Sequence, residues 1–201
     1  MTDYKEVTKN LFNRYAKEFE GRYTKEYSEY IRKEADFFMD LLKGKKILDL
    51  GCGPGRDSVY FKKNGFEPTA LDFSSEMVKL ARNKGLDAMI GDIEDLPFSV
   101  ESFDGIWAHT SLLHIPKVKI EEILSNIYET LKEQGVFLLG LKKGNVEGIE
   151  LNPKYQDEGR YMAYYSKDEA KQLISKHFDI KRYSEITLEE NNYFNYIGVK
   201  K

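Results

Sequence analysis

The sequence predicts an α/β fold with a seven-stranded, mostly parallel sheet, an antiparallel C-terminal strand and helices on both faces. Three observations lead there. From Lys45 to Leu141, short apolar runs alternate with amphipathic helical stripes, the pattern of parallel strands joined by crossover helices. A glycine cluster, Gly51, Gly53 and Gly55, follows the first run, where such a sheet turns into its first helix. The chain then closes on two alternating stretches separated by a polar tetrad, which signals an antiparallel hairpin.

Residues 1–43 read as two helices. Tyr4, Val7, Leu11, Phe12, Tyr15 and Phe19 make one stripe at three- and four-residue spacing. Gly21 interrupts it, and Thr24 is placed to cap a second helix carrying Tyr27, Tyr30, Ile31, Phe37, Phe38, Leu41 and Leu42 up to Gly44. Lys46–Leu50 is the first strand, and a helix over Ser58–Asn64 stops at Gly65. Glu67–Leu71 is the second, with Asp72 at its carboxyl end; Ser74 caps the following helix, which Gly85 ends. Asp87–Ile90 precedes Gly91-Asp92, Phe103–Ala108 is the fourth strand, and Pro116 opens a helix through Leu131. Val136–Leu141 is the most apolar strand. The polar stretch Lys142–Glu158 reads as irregular. Ser166-Lys167-Asp168-Glu169 is a capping box ahead of a helix bearing Ala170, Leu173, Ile174 and Phe178. Asp179–Leu188 and Tyr193–Val199 form the terminal hairpin across Glu189–Asn192. Right-handed crossovers follow by default.

Composition narrows the function classes. With 201 residues and a formal net charge of −3, the chain has the length of one domain and no electrostatic footprint for nucleic acid. Hydrophobic residues at 41% and charged residues at 32% fit a globular protein. No apolar run is long enough to cross a membrane, and Met1–Asn10 has no signal-peptide pattern. Cys52 is the single cysteine, so a reducing cytoplasm is expected. Of the 14 tyrosines, only Tyr60 and Tyr128 fall within Ile47–Gly140.

In an open α/β sheet the ligand lies beyond the carboxyl ends of the strands, so the residues just after each strand carry the information. After the first come Asp49-Leu50-Gly51-Cys52-Gly53-Pro54-Gly55, whose alternate glycines let a ligand approach the backbone. Asp72 is placed to accept both hydroxyl protons of a ribose, and Asp92 to accept from an adenine amino group. Together they describe a nucleoside site. The dinucleotide fingerprint would need a third glycine at Arg56. Asp49 would repel a pyrophosphate and suits a cationic amino group or sulfonium.

At these residues the sequence resembles the class I S-adenosylmethionine-dependent methyltransferases, in their small branch acting on small molecules. ILDLGCGPGR, ALDFSSEMVKLAR, GDIEDLPF, FDGIWAHTSLLHIP and LKEQGVFLLGLKKG are similar to the family's successive motifs, in order. The resemblance implies a Rossmann-like sheet with S-adenosylmethionine as methyl donor. It implies that Asp49, Gly51, Cys52 and Gly53 hold the methionine part, Asp72 the ribose, Phe73 and Met77 the adenine face, and Asp92 and Ile93 its edge. Ala108 and His109 would border the methyl, and Tyr15 would close over the cofactor from an N-terminal lid. On this reading residues 1–43 are a lid, 45–141 the cofactor core and 142–201 the substrate side of a single domain.

Each residue also has a plainer account. Cys52 reads as a small residue filling a crowded loop, not a nucleophile. His109 and His114 are candidate bases, although transfer from a sulfonium needs mainly alignment. His109 stands where the related proteins usually carry a small residue, and His114 also suits the turn before Pro116. Arg160, Tyr161, Tyr164 and Tyr165 are candidate substrate contacts, or an amphipathic edge on the sheet. Lys142 and Lys143 read as a solvated strand end. The expected protein methylates an O, N, S or C centre of a small molecule, with no metal, nucleic acid or membrane, as a monomer or homodimer. The alternatives are a non-catalytic S-adenosylmethionine-binding sensor or activating subunit, a nucleic-acid methyltransferase and a nicotinamide oxidoreductase. The nucleic-acid reading lacks an Asn/Asp-Pro-Pro-aromatic motif, since Trp107-Ala108-His109-Thr110 stands there. The oxidoreductase is disfavoured by Arg56.

Overall fold

The computed structural model describes residues 3–21, 24–156, 158–188 and 191–201. Helices α1 (Tyr4–Arg14), α2 (Ala16–Glu20) and α3 (Lys25–Leu41) precede the first strand. Alternation follows: β1 (Lys46–Leu50), α4 (Arg56–Lys63), β2 (Glu67–Asp72), α5 (Ser75–Asn83), β3 (Asp87–Ile90) and β4 (Phe103–His109). Then come α6 (Ile120–Thr130), β5 (Leu131–Lys142), β6 (Glu147–Asn152), β7 (Glu158–Ala163), α7 (Lys167–Ser175), β8 (Phe178–Leu188) and β9 (Asn191–Lys200). Seven strands form one sheet in the order β3-β2-β1-β4-β5-β9-β8, while β6 and β7 pair separately. The pairings among β3, β2, β1, β4 and β5 are parallel, and β9 runs antiparallel to both its neighbours. This is the expected fold class.

Successive strand residues point to opposite faces, and the core divides accordingly. Ile47, Trp107, Val136, Leu138 and Ile197 pack under α3 with Phe61 of α4. Leu48, Leu50, Ile106, Phe137 and Leu139 pack with Ile123, Leu124 and Ile127 of α6 and Ile174 of α7. Helix α3 starts where Thr24 accepts the N–H of Tyr27 and is fastened to the sheet edge by Glu34, which is buried and accepts two bonds from Arg182. It approaches β4 closely because Gly105 lacks a side chain; a Cβ there would lie 2.6 Å from Phe38 Cζ and 2.7 Å from Leu42 Cδ2.

Several expectations need correction. The first helix does not run through Phe19: the chain leaves helical geometry at Tyr15, and this bend sets the rings of Phe12 and Phe19 edge to face, 5.0 Å apart. Pro116 opens a single 3-10 turn, Lys117–Lys119, before α6. The stretch after Lys142 is not irregular. Its β6–β7 hairpin leaves Ile149 and Leu151 exposed, so its apolar alternation marks no buried face. Phe178 belongs to β8 rather than α7 and packs against Phe137, with ring centroids 5.1 Å apart. The Ser166 capping box forms as expected. Met1, Thr2, Glu189 and Glu190 lie outside the described residues. Among the described residues, no helix is long and apolar enough to cross a membrane.

The close approach at Gly105 makes a prediction. Gly105→Ala should destabilise the protein by about 1–3 kcal/mol by overpacking α3 on β4. A lowered urea midpoint with an unchanged slope would show it, and an unchanged midpoint would mean α3 yields freely.

Candidate functional site

A cavity of about 600 Å³ opens at the carboxyl ends of β1 to β5, roofed by α1, α2, the start of α3 and the β6–β7 hairpin. Its floor is the turn after β1. Gly51, Gly53 and Gly55 adopt φ of 75°, 52° and 81°, a region that favours glycine. The N–H groups of Gly51 and Cys52 both donate to the Leu71 carbonyl, at 2.8 and 3.0 Å, which ties this turn to β2. A Cβ on Gly51 would strike Ser111, whereas one on Gly53 would meet no protein atom. The backbone at Gly53 is therefore bare toward the cavity it lines.

Three carboxylates stand at successive strand ends. Asp72, 7% exposed, accepts the N–H of Gly53 at 2.8 Å and that of Ser74 at 2.9 Å. Burial pushes its carboxyl up to about 6 despite those bonds. Asp49 accepts the Ser58 hydroxyl at 2.6 Å, and burial, then the nearby Asp57, raises it. Two buried acids with raised values suit a ligand bearing positive charge and hydroxyl donors. Asp92 differs: its Oδ2 takes the Lys5 ammonium of α1 at 2.7 Å, and its Oδ1 the Glu94 N–H at 2.9 Å. Burial opposes its ionisation, but these bonds outweigh it and hold the carboxyl below its ordinary value.

A second polar group lies on the α3 side. Asp57 takes two bonds from Arg56, at 2.6 and 2.8 Å, and one from Trp107 Nε1 at 2.9 Å. Burial works against its charge, yet Arg56 keeps it ionised below the usual range. Arg56 Nη2 also lies 3.3 Å from Nδ1 of His109, whose Nε2 is 3.3 Å from the Tyr27 hydroxyl. The His109 side chain is 2% exposed, and burial pushes it down to about 3, with Asp57 opposing and Arg56 assisting. At neutral pH the ring is uncharged. Arg56 can only donate, so it occupies the Nδ1 lone pair that a base at this position would use.

His114 also lines the cavity. Its Nδ1 is 2.8 Å from the Tyr161 carbonyl, which can only accept, and its ring meets Phe12 at 5.1 Å. It thereby fastens the turn after β4 to β7. Asp49, Gly51, Cys52, Gly53, Asp72, Phe73, Met77, Asp92, Ile93, His109 and Arg160 all line the same cavity. Five expected site residues stand off its wall. Tyr15 packs against Tyr155 at the helix bend and donates to its carbonyl at 3.2 Å, while Phe12 and Phe19 line the wall. Ala108 points into the core on the α6 face. On β7 the two-residue period sends Arg160 and Met162 inward and Tyr161 out against Tyr4. Tyr164 donates to Glu150, and Tyr165 is fully buried in the core. Lys142 is no solvated strand end: it lines the cavity, with Nζ 3.1 Å from the Tyr164 hydroxyl.

Sequence reasoning missed Tyr27, Arg56, Asp57 and Tyr193 as wall residues. Tyr27 read as one more position of an amphipathic stripe, and Arg56 only as a failed glycine. Among the described residues, no group of three or more His, Cys, Asp or Glu side chains could hold a metal ion.

Comparison with known proteins bears on the family and the fold. Residues 47–135 match the family model of a methyltransferase domain. The malonyl-[acyl-carrier protein] O-methyltransferase of Salmonella typhimurium is 33% identical over 124 residues, covering 58% of this chain and 49% of that protein. The demethylmenaquinone methyltransferase of Paenarthrobacter aurescens is 34% identical over 90 residues, covering 43% of this chain and 36% of that protein. The chain thus spans half or less of the length of these relatives. The structure of the Burkholderia thailandensis 1,6-didemethyltoxoflavin-N1-methyltransferase, with its substrate and S-adenosylhomocysteine bound, superposes with a TM-score of 0.79 at 21% identity. That likeness covers 98% of this chain and 89% of the other. Magnesium protoporphyrin IX methyltransferase of Synechocystis gives 0.79 at 15% identity, covering 100% and 99%. At such identities the likeness is one of fold. Residues 47–135 are thus similar to a methyltransferase domain, carried on a Rossmann-like sheet.

Proposed function

We propose that the chain transfers the methyl group of S-adenosylmethionine to a small-molecule acceptor. The observation that carries this reading is the placement of buried Asp72 beside the bare backbone of Gly53, with Asp49 in the same cavity. Asp72 would hold the ribose hydroxyls, Asp49 and the Gly51–Gly53 backbone the methionine part, and Phe73, Met77, Asp92 and Ile93 the adenine. When bound, the cofactor supplies a methyl group already activated by a sulfonium leaving group. What remains for the protein is alignment and exclusion of water. Phe12 and Phe19 would keep the cavity apolar beneath the lid, and the α3, β7 and β9 walls would orient the acceptor. His109, with its Nδ1 occupied, acts by position rather than as a base. The relatives named above act on a carrier-bound malonyl group, a quinone precursor, a toxoflavin precursor and a porphyrin, so the similarity leaves the acceptor atom open among O, N, S and C.

Three measurements test this. Calorimetry should detect S-adenosylhomocysteine binding to the wild-type protein, weakened at least about tenfold in Asp72→Ala, since two hydroxyl bonds to a buried charge are lost. Equal affinity in both proteins would remove Asp72 from the site. Radiolabelled methyl from S-adenosylmethionine should pass into a small-metabolite extract; binding without labelling would favour a cofactor sensor.

The third is a pH dependence. Asp72 has its folded value near 6, above its ordinary 3.8. Its protonated form is therefore the tolerated one, and the stability it contributes at low pH is lost as pH rises through about 6. Relative to Asp72→Ala, the ligand-free wild type should lose on the order of 2–3 kcal/mol of unfolding free energy between about pH 4 and pH 8. Ribose hydroxyls favour the ionised form, so S-adenosylhomocysteine affinity should rise over the same interval. A flat profile in both measurements would contradict the assignment.

A further inference from the structure

The cavity holds one polar assembly that cofactor binding does not use. It runs Asp57, Arg56, His109, Tyr27, from the first helix after the glycine turn to the lid helix α3. Its hydrogen-bond directions follow from chemistry. A guanidinium has only donors, so Arg56 Nη2, 3.3 Å from His109 Nδ1, donates to it. A neutral imidazole then carries its proton on Nε2. That N–H faces the Tyr27 oxygen at 3.3 Å and donates to it. The phenol's own proton is turned away from His109.

The assembly is anchored at its far end, because Asp57 holds Arg56 through two bonds and is held by Trp107 Nε1. Its centre is dry: the His109 side chain is 2% exposed, and hydrogen bonds out of water hold their geometry more firmly. Tyr27 is its only member from the lid. Its ring leans edge-on against Tyr193 of β9, at 5.7 Å, and Arg56 lies 5.6 Å from the ring centroid. Three groups, one each from α4, β4 and β9, thus converge on one lid side chain, on the β4 side of the cavity rather than the β2 side that carries Asp72. Purely structural anchoring of α3 is already provided by the Glu34–Arg182 pair.

We propose that Tyr27 contacts and orients the methyl acceptor through its phenol group, and that His109 is a positioning residue that holds the phenol oxygen in place. The acceptor class this selects is a small molecule with a hydrogen-bonding oxygen or nitrogen near the methylated atom. His109 neither gives nor takes a proton in the reaction. This inference rests on the methyltransferase reading above and deepens it.

The test uses Tyr27→Phe, His109→Ala and His109→Gln, the last keeping an N–H donor near the position of Nε2. All three should bind S-adenosylhomocysteine with wild-type affinity, which also shows that they fold. With radiolabelled S-adenosylmethionine and the fraction of a metabolite extract that the wild type labels, Tyr27→Phe should raise the acceptor KM about tenfold, the worth of one hydrogen bond to a buried polar group. His109→Ala should do the same, and His109→Gln should recover most of the loss. Wild-type labelling by Tyr27→Phe would overturn the acceptor contact, and equal losses in the two His109 variants would overturn the positioning role. A third arm needs no acceptor. In 15N-histidine spectra, His109 should carry its proton on Nε2, remain uncharged at pH 6 and shift in Tyr27→Phe; a proton on Nδ1 would overturn the assembly. If the wild type failed to bind S-adenosylhomocysteine, the cofactor reading would fall, while these spectra would still decide the hydrogen-bond order.

Discussion

Burial of a carboxylate at the end of β2 organises the site. Asp72 accepts the N–H of Gly53 from the turn after β1 and that of Ser74 from the cap of α5. One side chain therefore sets the spacing of two loops, and it does so almost out of contact with water. A charge buried without full compensation is costly, and here burial outweighs the two backbone bonds and raises the carboxyl to about 6. The free protein holds a group that is better satisfied by a ligand offering hydroxyl donors. Asp49 repeats the arrangement one strand away, with Ser58 as a hydrogen-bond donor and Asp57 as a repulsive neighbour.

The cavity built on these acids has two unlike sides. At the β2–β3 end the roof is held by charge: Lys5 of α1 bridges Asp92 and Glu94, and Lys119 also meets Glu94. At the α3 end it is held by a buried hydrogen-bonded string and by the Glu34–Arg182 pair. Exposed ion pairs are worth little and weaken with salt, whereas buried networks are stiff. The first and third helices are thus fastened by different physics. Aromatic contacts join α1 and α2 to the β6–β7 hairpin, through Tyr4 on Tyr161, Tyr15 on Tyr155 and Phe19 on Tyr155. The lid and the hairpin form one continuous roof.

This roof accounts for the distribution of tyrosines. Tyr4, Tyr15, Tyr27, Tyr155, Tyr161, Tyr164 and Tyr193 lie in or beside it, and several also pack on one another. Tyr4, Tyr27, Tyr155 and Tyr193 reach the cavity wall. Tyr161 does not, because a strand sends alternate residues to opposite sides and β7 turns Arg160 inward; Tyr164 and Tyr165 lie beyond the strand, the first bonded to Glu150 and the second buried in the core. That parity could not be assigned while β7 was unrecognised as a strand.

The sequence by itself determined the parallel sheet, the glycine turn, the acids at three strand ends and the caps at Thr24, Ser74 and Ser166. These are local matters: periodicity, backbone freedom and side-chain-to-backbone bonds act within a few residues, and the chain spells them out. Only the tertiary structure decided that Arg56 reaches His109, that Tyr27 meets it from 82 positions away, and that Tyr15 packs on Tyr155. Those contacts depend on how closely α3 settles on β4 at Gly105 and on where the lid bends. Packing between distant segments sets both, and no short stretch of sequence encodes such packing.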